Sequence, residues 1–395
     1  MLLQEICVNM RRKFFKTEIF VLLAVGIPSL LFILWEDQNN QLVLEEIEEP
    51  SPERLADNNT IDSPAVKIEW KSSCKANYSV ENISGFSDLP PHIKDFLIYR
   101  HCRSFPIIID APSKCGGPSA SKGVFLLLAI KSSPGNYERR AVIRQTWGAE
   151  ETYGTAKVRR IFISGISKAN MEVKRMNKLL KIESQKFGDI LQWDFQDTFF
   201  NLTLKQLLFH QWLDENCPGA NFIFNGDDDV FVNTFNVIAF SQGLGEHGAD
   251  KHLYVGQLIA NVGPIRESQS KYYVPVQVTT SDSYPRYCGG GGILMSRFTC
   301  LSISNQSKSI ELFPIDDVYL GMCLEKAGLV PASHMGMRTV GVKVPSDTLD
   351  SFDPCYYREL LMVHRFVPYE MIVMWNAIQD SKLDCGQKHA IYIGV

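Results

Sequence analysis

The stretch "NFIFNGDDDVFVN", Asn221–Asn233, carries an apolar run straight into three consecutive carboxylates. Phe222 to Phe224 has the composition of a strand buried on both faces, and Gly226 allows close backbone approach before the acids begin. Three adjacent Asp side chains repel one another, and an ionised carboxylate is costly to desolvate unless something positive shares the site. The triplet therefore calls for water or a cation at the end of a buried strand. An acidic solvent-facing turn would satisfy the same residues, so their context has to decide.

The surrounding chain repeats the pattern. "FPIIID", "KGVFLLLAIKSS", "VRRIFISGIS" and "DILQWDF" are short apolar or β-branched runs with polar ends, which reads as buried strands. Between them, "NYERRAVIRQTWG", "NMEVKRMNKLLKIESQKFG" and "TLKQLLFHQWLDENC" have helical periodicity. The second of these predicts an apolar side of Met176, Leu179, Leu180 and Ile182, with Gly188 as a C-terminal cap. Strand and helix alternate, which predicts an α/β fold with a mostly parallel sheet. In such sheets ligands gather at the carboxyl ends of the strands, where the Asp triplet is expected to emerge.

The 395 residues are 45% hydrophobic and 21% charged, an ordinary globular composition, with a net charge of −4 and a pI near 6.1. That balance argues against a nucleic-acid partner held by a broad cationic face. The one basic cluster, Arg11, Arg12, Lys13 and Lys16, precedes an uncharged apolar segment from Ile19 to Trp35, and Glu36 and Asp37 follow it. A cleaved signal peptide is the competing reading, but the segment lacks a convincing small-x-small cleavage site. A retained single-pass anchor fits better, and the positive-inside bias gives a type II topology. The expected layout is a cytosolic tail at 1–18, an anchor at 19–35, a polar stem at 36–90 and a catalytic domain at 91–390.

A lumenal placement puts every cysteine but Cys7 in an oxidising compartment, where structural disulfides persist. Their number is odd, so at least one thiol is left over or bonded between chains, and no CxxC pair with His partners suggests zinc. Asn58, Asn77, Asn82, Asn201 and Asn305 each open an N-glycosylation sequon.

Five motifs now stand in order: "ERRAVIRQTWG" (138–148), "FNLTLK" (200–205), "FNGDDDVFV" (224–232), "YCGGGGILMS" (287–296) and "FPIDDVYLGMCL" (313–324). Together they resemble the β1,3-galactosyltransferase and β1,3-N-acetylglucosaminyltransferase family, glycosyltransferase family 31, over roughly residues 100 to 385. Galactosyltransferase members tend to carry Glu-Asp-Val where this chain has Asp316-Asp317-Val318. With "NVGPIR", "KYYVP" and "DSFDPCYYRELLMVHRF", the chain is most similar to the N-acetylglucosaminyl branch.

The resemblance implies a GT-A fold, a UDP-GlcNAc donor, Mn²⁺ or Mg²⁺, a galactose-terminated glycan acceptor and residence in the Golgi membrane. A homo-oligomer is left open. Asp229 is the first candidate metal ligand and His364 the second, with a hydrogen-bonded core imidazole as the alternative for the latter. Asp227 and Asp228 are expected to face the ribose and sugar hydroxyls of the donor. A β-linked product from an α-linked donor requires inversion, and so a base for the acceptor hydroxyl. Asp317 is that candidate, with Asp316 as the fallback or as a helix-start acid. Gly290 and Gly291 would form a wall beside the donor. Arg140 and Arg144 could grip uracil or phosphate or pair with acidic neighbours, and Lys205 could contact phosphate or sit solvated on its helix. Lys271 and Tyr273 are expected near the acceptor.

Three alternatives are compatible with the same residues. They are a galactosyltransferase using UDP-galactose, a non-catalytic lumenal glycan-binding protein, and a hydrolase working with paired carboxylates.

Overall fold

The wholly buried segment Leu126–Lys131 becomes the middle of a mixed sheet. The computed structural model describes residues 74–167, 170–340 and 351–386. Contacts divide the chain into Met1–Glu69, which lies outside the described residues, and Trp70–Val395. In chain order the strands are β1 (Ile107–Ile109), β2 (Leu126–Lys131), β3 (Thr152–Tyr153), β4 (Ala156–Ile166), β5 (Ile190–Gln196), β6 (Phe222–Asp227) and β7 (Val230–Val232). They continue with β8 (Tyr254–Gly256), β9 (Leu258–Ile259), β10 (Tyr287–Cys288), β11 (Gly292–Ser296), β12 (Ala332–Ser333), β13 (Met337–Arg338) and β14 (Met362–His364).

The main sheet has the order β1-β5-β4-β2-β6-β11-β8-β12, with β3 paired to β4. Its core, β5-β4-β2-β6, is parallel, as the buried apolar runs predict. Its flanks are not: β1 is antiparallel to β5, β11 to β6 and β8 to β11. The expected mostly parallel sheet is therefore a mixed one. After β2 the chain builds β4 and β5 on one side, then returns to lay β6 on the other, so a switch point lies at the carboxyl ends of β2 and β6. Lys131 and Asp227 are register partners there.

The pleat sorts β2 between two apolar layers. Leu127 and Ala129 enter the one that holds Trp212, Phe209 and Leu320, whereas Leu126, Leu128 and Ile130 enter the one that holds Trp147, Phe231 and Met371. The helices Tyr137–Gln145, Asn170–Phe187 and Leu202–Asn216 form where their periodicity predicts, and Gly188 ends the second with a positive φ. That second helix is rotated from its expected facing. Leu179 and Ile182 are 50% and 55% exposed, while Leu180 and Glu183 turn inward. On that inward side Glu183 forms ion pairs with Arg140 and Arg144.

The folded part also begins earlier than the expected boundary at residue 90. Cys74 is bonded to Cys102, and Phe86 and Leu89 are buried in the core. Two further disulfides join Cys115 to Cys217 and Cys355 to Cys385, leaving Cys288, Cys300 and Cys323 as buried thiols among the described residues. The expected anchor at 19–35 and Asn58 lie outside the described residues, among which no helix is long and apolar enough to cross a membrane. Asn77, Asn82 and Asn305 are exposed, whereas Asn201 is half-buried and its amide donates to the Gln196 carbonyl at 2.8 Å.

Candidate active site

Where β6 ends, the turn Asp228–Asp229 splits the Asp triplet in two directions before β7 begins. Asp228 turns into the protein, 7% exposed, where Asn136 donates to its Oδ2 at 2.8 Å. Burial raises its carboxyl above the usual range, opposed by hydrogen bonds from Ser132 and Asn136 and by the charge of Arg139. Asp228 is thus a brace between the triplet and the loop after β2, not the expected group facing the donor.

Asp227 and Asp229 instead converge with His364, with one ligand atom from each lying within 4.8 Å of the others. The late histidine arrives by β14, which runs antiparallel to β7 and sets His364 opposite Val230. His364 Nε2 lies 3.2 Å from Asp229 Oδ1, and Nδ1 lies 3.2 Å from the Thr339 carbonyl. A proton on Nδ1 donated to that carbonyl leaves Nε2 as the ligand nitrogen, the usual way a backbone oxygen orients a metal-binding imidazole. The hydrogen bond to Asp229 raises the His364 pKa despite partial burial, and burial of Asp229 is outweighed by His364 and Arg139, which hold its carboxyl low. Two carboxylates and an imidazole suit a borderline or hard divalent cation, so the donor set fits. Asp229 and His364 meet as expected, and Asp227 joins them.

The second acidic pair opens the helix Asp316–Lys326. Asp316 is 6% exposed, and Lys131 Nζ donates to its Oδ2 at 2.9 Å. Lys131 also reaches Asp227 Oδ1 at 3.1 Å. Burial works against the Lys131 charge, but Asp227, Asp316 and Asp317 together raise its pKa well above the ordinary value. Asp317 is less covered than Asp316. Desolvation and then the charge of Asp316 push its carboxyl well above the usual range, with Lys131 opposing them.

The glycine run closes the space between these clusters. A Cβ on Gly290 would stand 3.0 Å from Asp317 Oδ2, and one on Gly291, at φ +103°, would stand 3.0 Å from the His364 ring. The Gly291 carbonyl also accepts from the Asp227 amide at 2.9 Å. Gly290 and Gly291 therefore make room for the protein's own acids and imidazole, where the sequence suggested room for the sugar.

Three expected donor contacts are buried side chains already paired with the protein's own acids. Arg140 is 1% exposed and donates to both Glu183 oxygens, to Ser132 and to two backbone carbonyls. Arg144 pairs with Asp189 and Glu183, and Lys205, 2% exposed, pairs with Asp197 at 2.7 Å. All three are internal counter-charges. The arginine that does approach the cluster is Arg139, 3.9 Å from Asp228 Oδ1 and half-buried. Of the residues expected near the acceptor, Tyr273 packs against the core and Lys271 is exposed, as is its neighbour Tyr272. Lys271 lies 4.7 Å from the Tyr272 ring centroid, and Tyr272 meets Phe199 edge-on. Burial, then the charges of Asp317 and Tyr272, raise the pKa of the Tyr287 hydroxyl above its ordinary value.

Lys131, Asn136, Arg139 and Tyr287 were not singled out by the sequence. Lys131 had a readable signal, a lone cation ending the apolar run "FLLLAIK".

The model of the galactosyltransferase family matches residues 138–335, and relatives are similar over far more of the chain. A human N-acetyllactosaminide β-1,3-N-acetylglucosaminyltransferase 3 is 49% identical over 94% of this chain and 97% of its own length. The chain belongs to this glycosyltransferase family. A human acetylgalactosaminyl-O-glycosyl-glycoprotein β-1,3-N-acetylglucosaminyltransferase is 46% identical over 93% of the chain and 96% of its own. A rat UDP-GlcNAc:βGal β-1,3-N-acetylglucosaminyltransferase 7 is 42% identical over 81% of the chain and 79% of its own.

Proposed function

We infer that the protein is an inverting β1,3-N-acetylglucosaminyltransferase of GT-A type that uses UDP-GlcNAc and a divalent cation, Mn²⁺ or Mg²⁺. The acceptor is a glycan ending in galactose or a related sugar. The observation that carries this reading is an Asp-Asp-His ligand set joined through Lys131 to a second acidic pair, Asp316 and Asp317, that opens a helix beside it. The names of the relatives favour GlcNAc as the transferred sugar.

The chemistry divides between the two clusters. Asp227, Asp229 and His364 would hold the cation, which when bound shields the donor diphosphate and the charge that grows on leaving UDP. Arg139, beside the cluster, is the candidate for a direct phosphate or uracil contact. Asp317 accepts the proton of the acceptor hydroxyl as that oxygen bonds to the anomeric carbon and the carbon–oxygen bond to UDP breaks on the opposite face. Asp316 is engaged by Lys131, which favours Asp317 as the base. Tyr272, Phe199 and Lys271 line a strip on which sugar rings could stack.

The N-terminal charge pattern favours a type II membrane protein with residues 19–35 as the anchor, and the family resemblance favours residence in the Golgi. The test is a donor screen on the full chain with Mn²⁺ and a galactose-terminated acceptor, where transfer from UDP-GlcNAc is expected. Use of UDP-galactose alone would make it a galactosyltransferase. Glycan binding without transfer from either donor would favour the non-catalytic reading.

A further inference from the structure

One buried cation serves both acidic clusters. Lys131 ends β2 in register with Asp227, is 8% exposed, and reaches Asp227 Oδ1 at 3.1 Å and Asp316 Oδ2 at 2.9 Å. The two carboxylates come from opposite sides of the site. Asp227 is fixed by the sheet and belongs to the candidate metal ligands. Asp316 rides on a helix whose approach is held by Thr203, which donates to the Phe313 carbonyl at 2.6 Å. Without a cation between them, Asp227, Asp316 and Asp317 would repel one another in a poorly solvated space. An ammonium carries three donors, enough to bond both carboxylates at once.

We propose that Lys131 is a positioning residue for the transfer reaction. It fixes the span between the metal-binding acids and the base, and it engages Asp316 so that Asp317 is the carboxylate of the pair left open to the acceptor hydroxyl. The inference rests on the function proposed above. It differs from a role in gripping the donor, because Lys131 is engaged by carboxylates of both acidic clusters.

The sign of one effect separates the two roles. Removing the ammonium makes the Asp227 side more negative, so a divalent cation and the UDP bound with it should be held as well as before or more tightly. A donor-gripping lysine would lose UDP affinity instead, and so would a collapsed site. The same removal frees Asp316 and the helix start, and a reacting group displaced by about 1 Å costs about 10²-fold in rate.

The experiment compares the full-length wild type with Lys131→Met, Asp316→Asn and the Lys131→Met/Asp316→Asn double variant. UDP affinity is measured calorimetrically with and without Mn²⁺, and kcat and the acceptor KM are measured on whichever UDP-sugar the wild type uses. A wrong donor assignment in the wild type therefore leaves the Lys131 comparison intact. Lys131→Met is expected to lose about 10²-fold in kcat while its Mn²⁺-dependent UDP affinity stays level or tightens. Because Lys131 acts through Asp316, the double variant should turn over no more slowly than Lys131→Met. If Lys131→Met does not fold, the double variant, which removes the charges as a pair, carries the test by retaining UDP binding with reduced kcat. A fall in UDP affinity of more than about tenfold in the folded variants, or losses that multiply in the double variant, would overturn the proposal. So would a kcat close to that of the wild type in Lys131→Met.

Discussion

At the scale of single residues, the site is an arrangement of charges that needs small neighbours. Five carboxylates, Asp227, Asp228, Asp229, Asp316 and Asp317, are answered by Lys131, Arg139 and His364. The glycine run is what lets these groups approach one another. Gly291 sits at φ +103° with the His364 ring against it, so Gly291→Ala is both strained and crowded. Because it disturbs a ligand's orientation without removing the ligand, it is expected to weaken Mn²⁺-dependent UDP binding about 10–100-fold. Calorimetry with and without Mn²⁺ checks this, since metal-independent binding should change little. The Asp triplet and the late histidine were legible because their residue types announce cation chemistry. The splitting of Asp228 from its neighbours was not, since it depends on Asn136, which comes from a loop distant in sequence.

At the scale of elements, the helices Tyr137–Gln145 and Asn170–Phe187 are locked to the sheet by a buried ion network. Arg140 pairs with Glu183, Arg144 with Glu183 and Asp189, and Arg160 with Asp189. Glu183→Ala would take from the buried Arg140 guanidinium the carboxylate it pairs with, while Arg144 keeps Asp189, and is expected to cost about 3–5 kcal/mol in a denaturant titration. An exposed neighbour such as Lys181 should change stability by less than about 0.5 kcal/mol on truncation. Burial raises the Asp189 carboxyl, but Arg144 and Arg160 more than reverse this and hold it below the ordinary value. Its stabilising contribution is therefore complete above the unfolded carboxylate pKa of about 3.9, and fades as pH falls through the lower folded value. The buried strands and the three helices were readable because apolar periodicity is a local signal. The inward turn of Arg140, Arg144 and Lys205 was not. An i, i+4 arginine pair looks the same whether its partner is a phosphate or a glutamate some forty residues away.

At the scale of the whole molecule, the chain belongs to a transferase family, and its described part is tied by three disulfides around three buried thiols. Burial pushes the Cys288 and Cys323 thiols up to about 12, and Cys300 also rises. Among residues 74–386, alkylation of the native protein should therefore label no cysteine. Denaturation without reduction should expose Cys288, Cys300 and Cys323, and reduction the remaining six. The sequence could say only that an odd number of lumenal cysteines leaves one over, because pairing depends on distances that spacing does not encode. The central claim is that binding and base chemistry are divided between the Asp-Asp-His set and Asp317. Turnover and Mn²⁺-dependent UDP binding of Asp317→Asn, measured side by side with the wild type, test it most directly. The expected result is UDP affinity near that of the wild type, with turnover lower by about 10²–10⁴-fold. Near-normal turnover in Asp317→Asn, or a loss of UDP binding in step with turnover, would contradict it.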